Sequence, residues 1–204
     1  MFPVILESAL TERIIEVIEI MNEKINGIDV NALNSTIEAV KQNPILAKCT
    51  FSTRTFWKKG FQNQTEISSF VQAGETVKRG KTFRLGGDHP EGLLGQNTAP
   101  AAVETLIAAT SACIAGGWAT FGAAMGIKID SLKIDLEGDI DLQGFMGTDK
   151  KVRPGLSKIR GKIYVKSPAS DKQLQELKEM AEKMSPVVDS LNVPVQTELV
   201  HERN

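Results

Sequence analysis

The sequence predicts an α+β fold. Three observations carry that expectation. Blocks of residues after position 48 alternate apolar and polar with a period of two. One stretch without a charge, residues 105–127, reads as a single long helix. Strands come in runs with two separated helices, rather than alternating one for one with helices as a parallel sheet requires.

The first 48 residues read as a helical appendage. Ile14, Ile18, Met21, Ile25 and Ile28 are spaced 4-3-4-3 and fall on one helix face, with Glu12, Glu16, Glu19 and Glu23 on others and Gly27 as a stop. Asp29 is placed to cap a second helix striped by Val30, Leu33, Ile37 and Val40, which must end near Asn43 because Pro44 follows. Such a stripe packs either on the main domain or on a second copy. The expected division is therefore residues 1–48 as extension and 49–204 as main domain.

Cys49, Phe51, Thr53 and Thr55 alternate with polar positions; residues 56–61 read as a turn into a second strand running to about Phe70. Glycines at 74, 80, 86, 87, 92 and 95 mark residues 72–99 as loop with one short strand near 81–85. Pro100 opens the long helix, residues 101–126. Leu132, Ile134 and Leu136 start a strand that Ile140 and Leu142 continue. Ile159, Ile163 and Val165 alternate with Lys158, Arg160, Lys162 and Lys166, a half-buried strand with a basic solvent face. Ser170 and Gln173 form a capping box for a helix striped by Leu174, Leu177, Ala181 and Met184, ended by Pro186. Val193, Val195, Thr197 and Leu199 make a last strand before a tail holding His201.

The 204 residues suit one large domain, or one with an appended segment. With 25 acidic against 24 basic residues the net charge is -1, and no overall bias attracts nucleic acid. The uncharged stretch is long enough to cross a bilayer, but its Ala, Gly, Thr and Ser content suits the central helix of a folded core instead. The N-terminus lacks a basic, apolar leader, so the expectation is a cytoplasmic protein with reduced thiols, no membrane and no nucleic-acid partner. Two Cys and two His are too few for a disulfide framework or an evident metal site, and no metal or cofactor is implied.

The candidate for chemistry is Cys113. A cysteine attacks only as its thiolate, which needs a cation or hydrogen-bond donor nearby. Ala109, Cys113 and Gly117 also form a small-residue ridge, so local physics alone favours packing. Cys49 on a strand reads as packing, and His89 after Asp88 as turn or surface.

Several segments nevertheless resemble one family. Ala101-Ala102-Val103-Glu104 leading to Leu106-Ile107-Ala108-Ala109-Thr110-Ser111-Ala112-Cys113 is similar to the central-helix signature of the OsmC/Ohr family. Asp88-His89-Pro90-Glu91, the run from Leu136 to Phe145, Val152-Arg153-Pro154-Gly155 and Ser185-Pro186-Val187-Val188-Asp189 resemble its flanking segments. Asn26-Gly27-Ile28-Asp29-Val30 and Asn43-Pro44-Ile45-Leu46-Ala47-Lys48 resemble a longer subfamily with an N-terminal helical extension. The resemblance implies a central buried helix wrapped by curved antiparallel sheets, and an intertwined homodimer with its sites at the subunit interface. It also implies thiol-dependent reduction of organic hydroperoxides, with Cys113 as the attacking residue.

The same resemblance exposes departures. The family's second cysteine corresponds to Ser185, which cannot close a disulfide. Its arginine in the first hairpin is missing from Lys58-Lys59-Gly60-Phe61, and its bracing glutamate falls at Val103. Arg54, which matches an arginine of the longer subfamily, or Lys59 would supply a cation, with Glu104 or Ser185 as hydrogen-bonding support. Glu104 lies nine residues before Cys113, on the opposite face of a regular helix, so it reaches the sulfur only across a break or from another subunit. Three readings follow. The chain is a one-cysteine peroxidase served by an external thiol; or it binds a small apolar or thiol ligand at the dimer interface; or its N-terminal helices dock another protein.

Overall fold

The computed structural model describes residues 24–191 and 194–202, so Ile14, Ile18 and Met21 lie outside the described residues. The end of their stripe is corrected. Ile25 and Ile28 belong to two short strands, β1 (Lys24–Ile25) and β2 (Ile28–Asp29), which pair antiparallel. Asn26 and Gly27 turn between them with φ of 54° and 78°. An Asn-Gly pair is the strongest short hairpin signal because both turn positions need positive φ, and here it overrides the helical spacing.

The hairpin is bolted to the main domain. The Asn26 side chain donates to the Ile127 carbonyl (2.9 Å) and accepts from the Ile129 N–H (2.8 Å), closing off the chain just past the long helix. Asn26→Ala removes both bonds at a partly buried site and is expected to lower stability by about 2 kcal/mol. A urea midpoint equal to that of the parent would show the hairpin to be loosely held. The second helix forms as expected: α1 (Val30–Gln42) is capped by Asp29, whose carboxylate accepts from the Ala32 N–H at 2.8 Å.

The first sheet contains β3 (Cys49–Phe51), β4 (Arg54–Lys59), β5 (Gln62–Gln72) and β6 (Glu75–Gly87). β3 and β4 follow one another along one edge of the long β5, and β6 runs antiparallel along the other. Two expectations change here. The first turn is confined to Gly60 and Phe61, and nearly half of the expected loop at 72–99 is the thirteen-residue β6. Its glycines punctuate the strand without breaking it: Gly74 (φ 87°) makes the turn, and Gly80 (φ 71°) sits where the β5–β6 register slips.

The long helix, α2 (Ala102–Ala124), runs unbroken for 23 residues. One face buries Thr110, Ile114 and Trp118 in a core shared with Ile127, Ile163, Val165, Leu174, Leu177 and Ala181. It is apolar and long enough to cross a membrane, yet it serves as the core helix. Its other face, with Leu106, Ala109 and Gly116, is exposed in the single chain.

The second sheet joins β7 (Ser131–Asp139) antiparallel to β8 (Lys158–Lys166), which pairs in parallel with β9 (Val195–His201). The parallel strand departs from a wholly antiparallel expectation. The chain returns to it through the helices α4 (Asp171–Lys183) and α5 (Pro186–Asp189), the crossover that a parallel pair requires. Leu142 does not extend β7; Asp141 accepts from the Gln143 N–H and caps a short helix, α3 (Leu142–Met146). The basic face of β8 is largely neutralised: Arg160 pairs with Glu137 and Asp139, and Lys162 with Glu198. The Ser170–Gln173 capping box forms, while Met184 ends the helix exposed rather than in its buried stripe.

Candidate active site

Packing between α2 and α4 builds the site. A Cβ on Gly117 would lie 3.1 Å from the Ala181 Cβ, so the missing side chain lets the two helices approach closely. That contact carries the chain leaving α4 back past α2, and Ser185 arrives beside Cys113. Ser185 is 3% exposed, and its Oγ lies 3.1 Å from the Cys113 Sγ. The Val188 N–H donates to the same Oγ at 3.2 Å. With its oxygen accepting from the backbone, the hydroxyl has its single proton to direct at the sulfur. Cys113 is free and half-buried; Cys49 is free and exposed on β3.

The other residues singled out from sequence are not brought to the sulfur within one chain. Glu104 accepts from the Ala101 N–H at 2.7 Å and closes the first turn of α2. Because the helix is unbroken, nine residues place it about 13 Å along the axis from Cys113. Arg54 stands across the strand pair from Glu66, whose carboxylate instead takes the Arg84 Nε at 3.1 Å. Among the described residues, no hydrogen bond or ion pair joins Arg54 or Lys59 to Cys113.

Sequence reasoning missed Asp88. It is 1% exposed, and its carboxylate accepts from the Thr98 hydroxyl (2.6 Å), from the N–H groups of His89, Thr98 and Gln96, and from Gln62. The Thr98 hydroxyl and these N–H groups hold its carboxyl well below the usual carboxylate range, against the opposing pull of burial. One charge thus pins residues 88–98 between β6 and α2, where a cavity of about 220 Å³ is lined by Phe61, Asn63, Leu85, His89, Pro100 and Thr105. His89 stacks on Phe61 with ring centroids 4.1 Å apart, a packing role. A carboxylate with a lowered folded pKa stabilises above its unfolded pKa, about 3.9, and that contribution is lost as pH falls through the folded value. Asp88→Asn is therefore expected to melt lower than the parent between pH 5 and 8, with the gap closing progressively below about pH 4. A gap independent of pH would remove charge from the explanation.

His201 is not in a tail. It ends β9, with Nδ1 2.8 Å from the Asp171 carboxylate and Nε2 2.9 Å from the Ser167 carbonyl. Among the described residues no cluster of three or more His, Cys, Asp or Glu is placed to hold a metal ion.

The family model described as OsmC-like protein matches residues 95–200, which include both Cys113 and Ser185. The solved structure of an OsmC-like protein from Mycoplasma pneumoniae is 16% identical, covers 74% of this chain and 98% of its own, and superposes with a TM-score of 0.56. An OsmC-like protein of unknown function from Vibrio cholerae gives 15%, 74%, 98% and 0.56. An organic hydroperoxide resistance protein from Legionella pneumophila gives 14%, 74%, 97% and 0.50. No curated protein matches in sequence. At these identities the likeness is one of fold.

Proposed function

Because the chain belongs to the OsmC-like protein family, we propose that it is a one-cysteine peroxidase that reduces organic hydroperoxides through Cys113. The observation that carries this reading is the Ser185 hydroxyl aimed at the Cys113 sulfur at 3.1 Å. A hydrogen bond to an ionised acceptor is about twice as strong as one between neutral groups, so the hydroxyl is placed to hold the sulfur in the step in which it attacks. The thiolate attacks one peroxide oxygen and the O–O bond breaks. The sulfur, oxidised by two electrons, becomes a sulfenic acid, and the departing alkoxide takes a proton as alcohol. Ser185 cannot resolve the sulfenic acid. An external thiol does so, forming a mixed disulfide and water; a second thiol then releases Cys113 reduced and leaves as the disulfide.

A second copy of the chain completes the site. The bare face of α2 around Leu106, Ala109 and Gly116 adjoins Cys113, and a partner seated there would bury the sulfur and exclude water. Any cation, Arg54 or Lys59, would come from that copy, and Glu104 would serve by holding the start of α2. Residues 24–48 act as a structural extension of the 49–204 domain rather than a docking arm, since Asn26 ties them to the chain after α2. The two free thiols suit a reducing, cytoplasmic setting.

The test is consumption of cumene hydroperoxide by the purified protein with excess dithiol, with a dimedone adduct at Cys113 read by mass spectrometry. Absence of both turnover and adduct ends the proposal. A ligand-induced rise in melting temperature that persists in Cys113→Ala would favour the ligand-binding reading instead.

A further inference from the structure

We propose that Glu182 is a positioning residue for the reaction at Cys113: its carboxylate clamps the end of α4 to β9 and so fixes where Ser185 meets the sulfur. The proposal rests on the peroxidase reading and adds the group that sets its geometry. Lys178 is only 8% exposed, which an ammonium tolerates when it is paired, and it donates to Glu182 Oε2 at 3.0 Å. The other oxygen of that carboxylate, Oε1, accepts from the Thr197 hydroxyl on β9. A lysine–glutamate pair one helical turn apart contributes little where both groups stay in water, as at Lys172 and Glu176. The side chains of Lys178 and Glu182 are 10% and 20% exposed, so each charge depends on the other.

Glu182 stands where this fixing matters. α4 ends at Lys183, and the Ser185 N–H donates to the Glu182 carbonyl at 3.2 Å. Ser185 then opens α5, with its Oγ taken up by the Val188 N–H and turned to Cys113. The backbone that carries Ser185 is therefore held by the residue whose side chain is fixed to β9. β9 is itself a firm anchor, paired with β8 from Val195 to His201, and β8 buries Ile159, Ile163 and Val165 in the core. Neighbouring residues of α4 thus grip different elements: Ala181 meets Gly117 of α2, and Glu182 meets Thr197 of β9. With the second grip removed, the end of α4 can pivot on the first. A misplacement of about 1 Å at a reacting centre can cost about a hundredfold in rate. Every contact in the clamp lies within one chain, and none depends on a bare surface.

The test is the rate at which iodoacetamide alkylates Cys113 in the full chain, read by mass spectrometry with Cys49 as internal reference. It needs no hydroperoxide, so failure of the peroxidase reading and failure of the clamp are separate results. Glu182→Ala is expected to slow alkylation of Cys113 about fivefold in the parent and not at all in a Ser185→Ala background, because the clamp acts only through that hydroxyl. Thr197→Val, which keeps the shape of the side chain, is expected to slow it about threefold with the same dependence on Ser185, and decides the matter should the alanine variant not fold. Glu182→Gln is expected to restore most of the rate, since its amide still accepts from Lys178 and donates to Thr197. Both Glu182 variants leave Lys178 without a counter-charge and are expected to melt below the parent, so a rate that merely followed stability would fall in both. Glu179→Ala, which removes a carboxylate of α4 bonded to Gln175 instead, is expected to leave the rate unchanged. The proposal is overturned if neither Glu182→Ala nor Thr197→Val slows Cys113, or if they slow it equally with and without Ser185. It is equally overturned if Glu182→Gln is as slow as the alanine variant, if Glu179→Ala is slow as well, or if Cys49 slows in step.

Discussion

Cys113→Ala is expected to abolish hydroperoxide reduction, and Ser185→Ala to slow it roughly ten- to a hundredfold while leaving it measurable. The sulfur is the only protein atom in the proposed scheme that changes oxidation state, so nothing replaces it. Ser185 contributes one hydrogen bond to a charged acceptor, and the loss of such a bond is worth about 1.5–3 kcal/mol, which sets the fold-change. Because Ser185 also caps α5 through the Val188 N–H, the alanine variant must be checked for an unchanged fold by circular dichroism. Ser185→Cys separates the two roles. It keeps a small side chain at the cap and brings a second thiol to a position now 3.1 Å from the Cys113 sulfur. Oxidation is then expected to yield a disulfide between Cys113 and the introduced thiol in place of a trapped sulfenic acid. If Ser185→Ala turns over at the parental rate in single-turnover measurements, the hydroxyl has no part in the chemistry and the proposal loses its main support.

The largest stability loss is expected for Trp118→Ala, about 3–5 kcal/mol. Trp118 is completely buried among Ile114, Leu174, Leu177 and Ala181, where α2 meets α4. Against a typical total of about 5–15 kcal/mol, that loss lowers the urea midpoint sharply. Trp118→Phe is expected to be far milder, because the indole N–H finds no partner among the described residues. Removing that orphaned donor recovers a burial penalty of about 1–3 kcal/mol, which offsets part of the lost volume. The alanine variant is also expected to lose peroxidase activity below its melting temperature, since loosening α2 from α4 withdraws Ser185 from the sulfur. A near-parental midpoint for Trp118→Ala would show that the α2–α4 seam is not the core of the fold.

Local rules and tertiary rules divide this molecule clearly. Asp29 capping α1, the Ser170–Gln173 box and the 23-residue α2 depend on groups within one turn, and each is readable along the chain. The β1–β2 hairpin and β6 depart from the sequence reading for opposite reasons. In the first, isoleucine spacing masks a local Asn-Gly turn; in the second, glycines that read as loop are tolerated because β5 pairs with β6 on both sides of the bulge. Asp88 illustrates the limit differently: ten residues of loop fold back on one carboxylate, and no periodicity records such a return.

Residue order by itself determined the α+β class and the identity of the central helix, because spacing and composition act over a few residues; Cys113 as the reactive candidate came from the resemblance to a family, since local physics alone favours packing there. Only the tertiary structure decided that Ser185 faces that sulfur, that Glu104 is engaged in a helix cap, and that Arg54 stands apart from both. Ser185 and Cys113 are 72 positions apart, and what brings them together is the close approach of two helices at Gly117 and Ala181. Contacts of that kind depend on the shape of the packed core, which no stretch of sequence contains on its own.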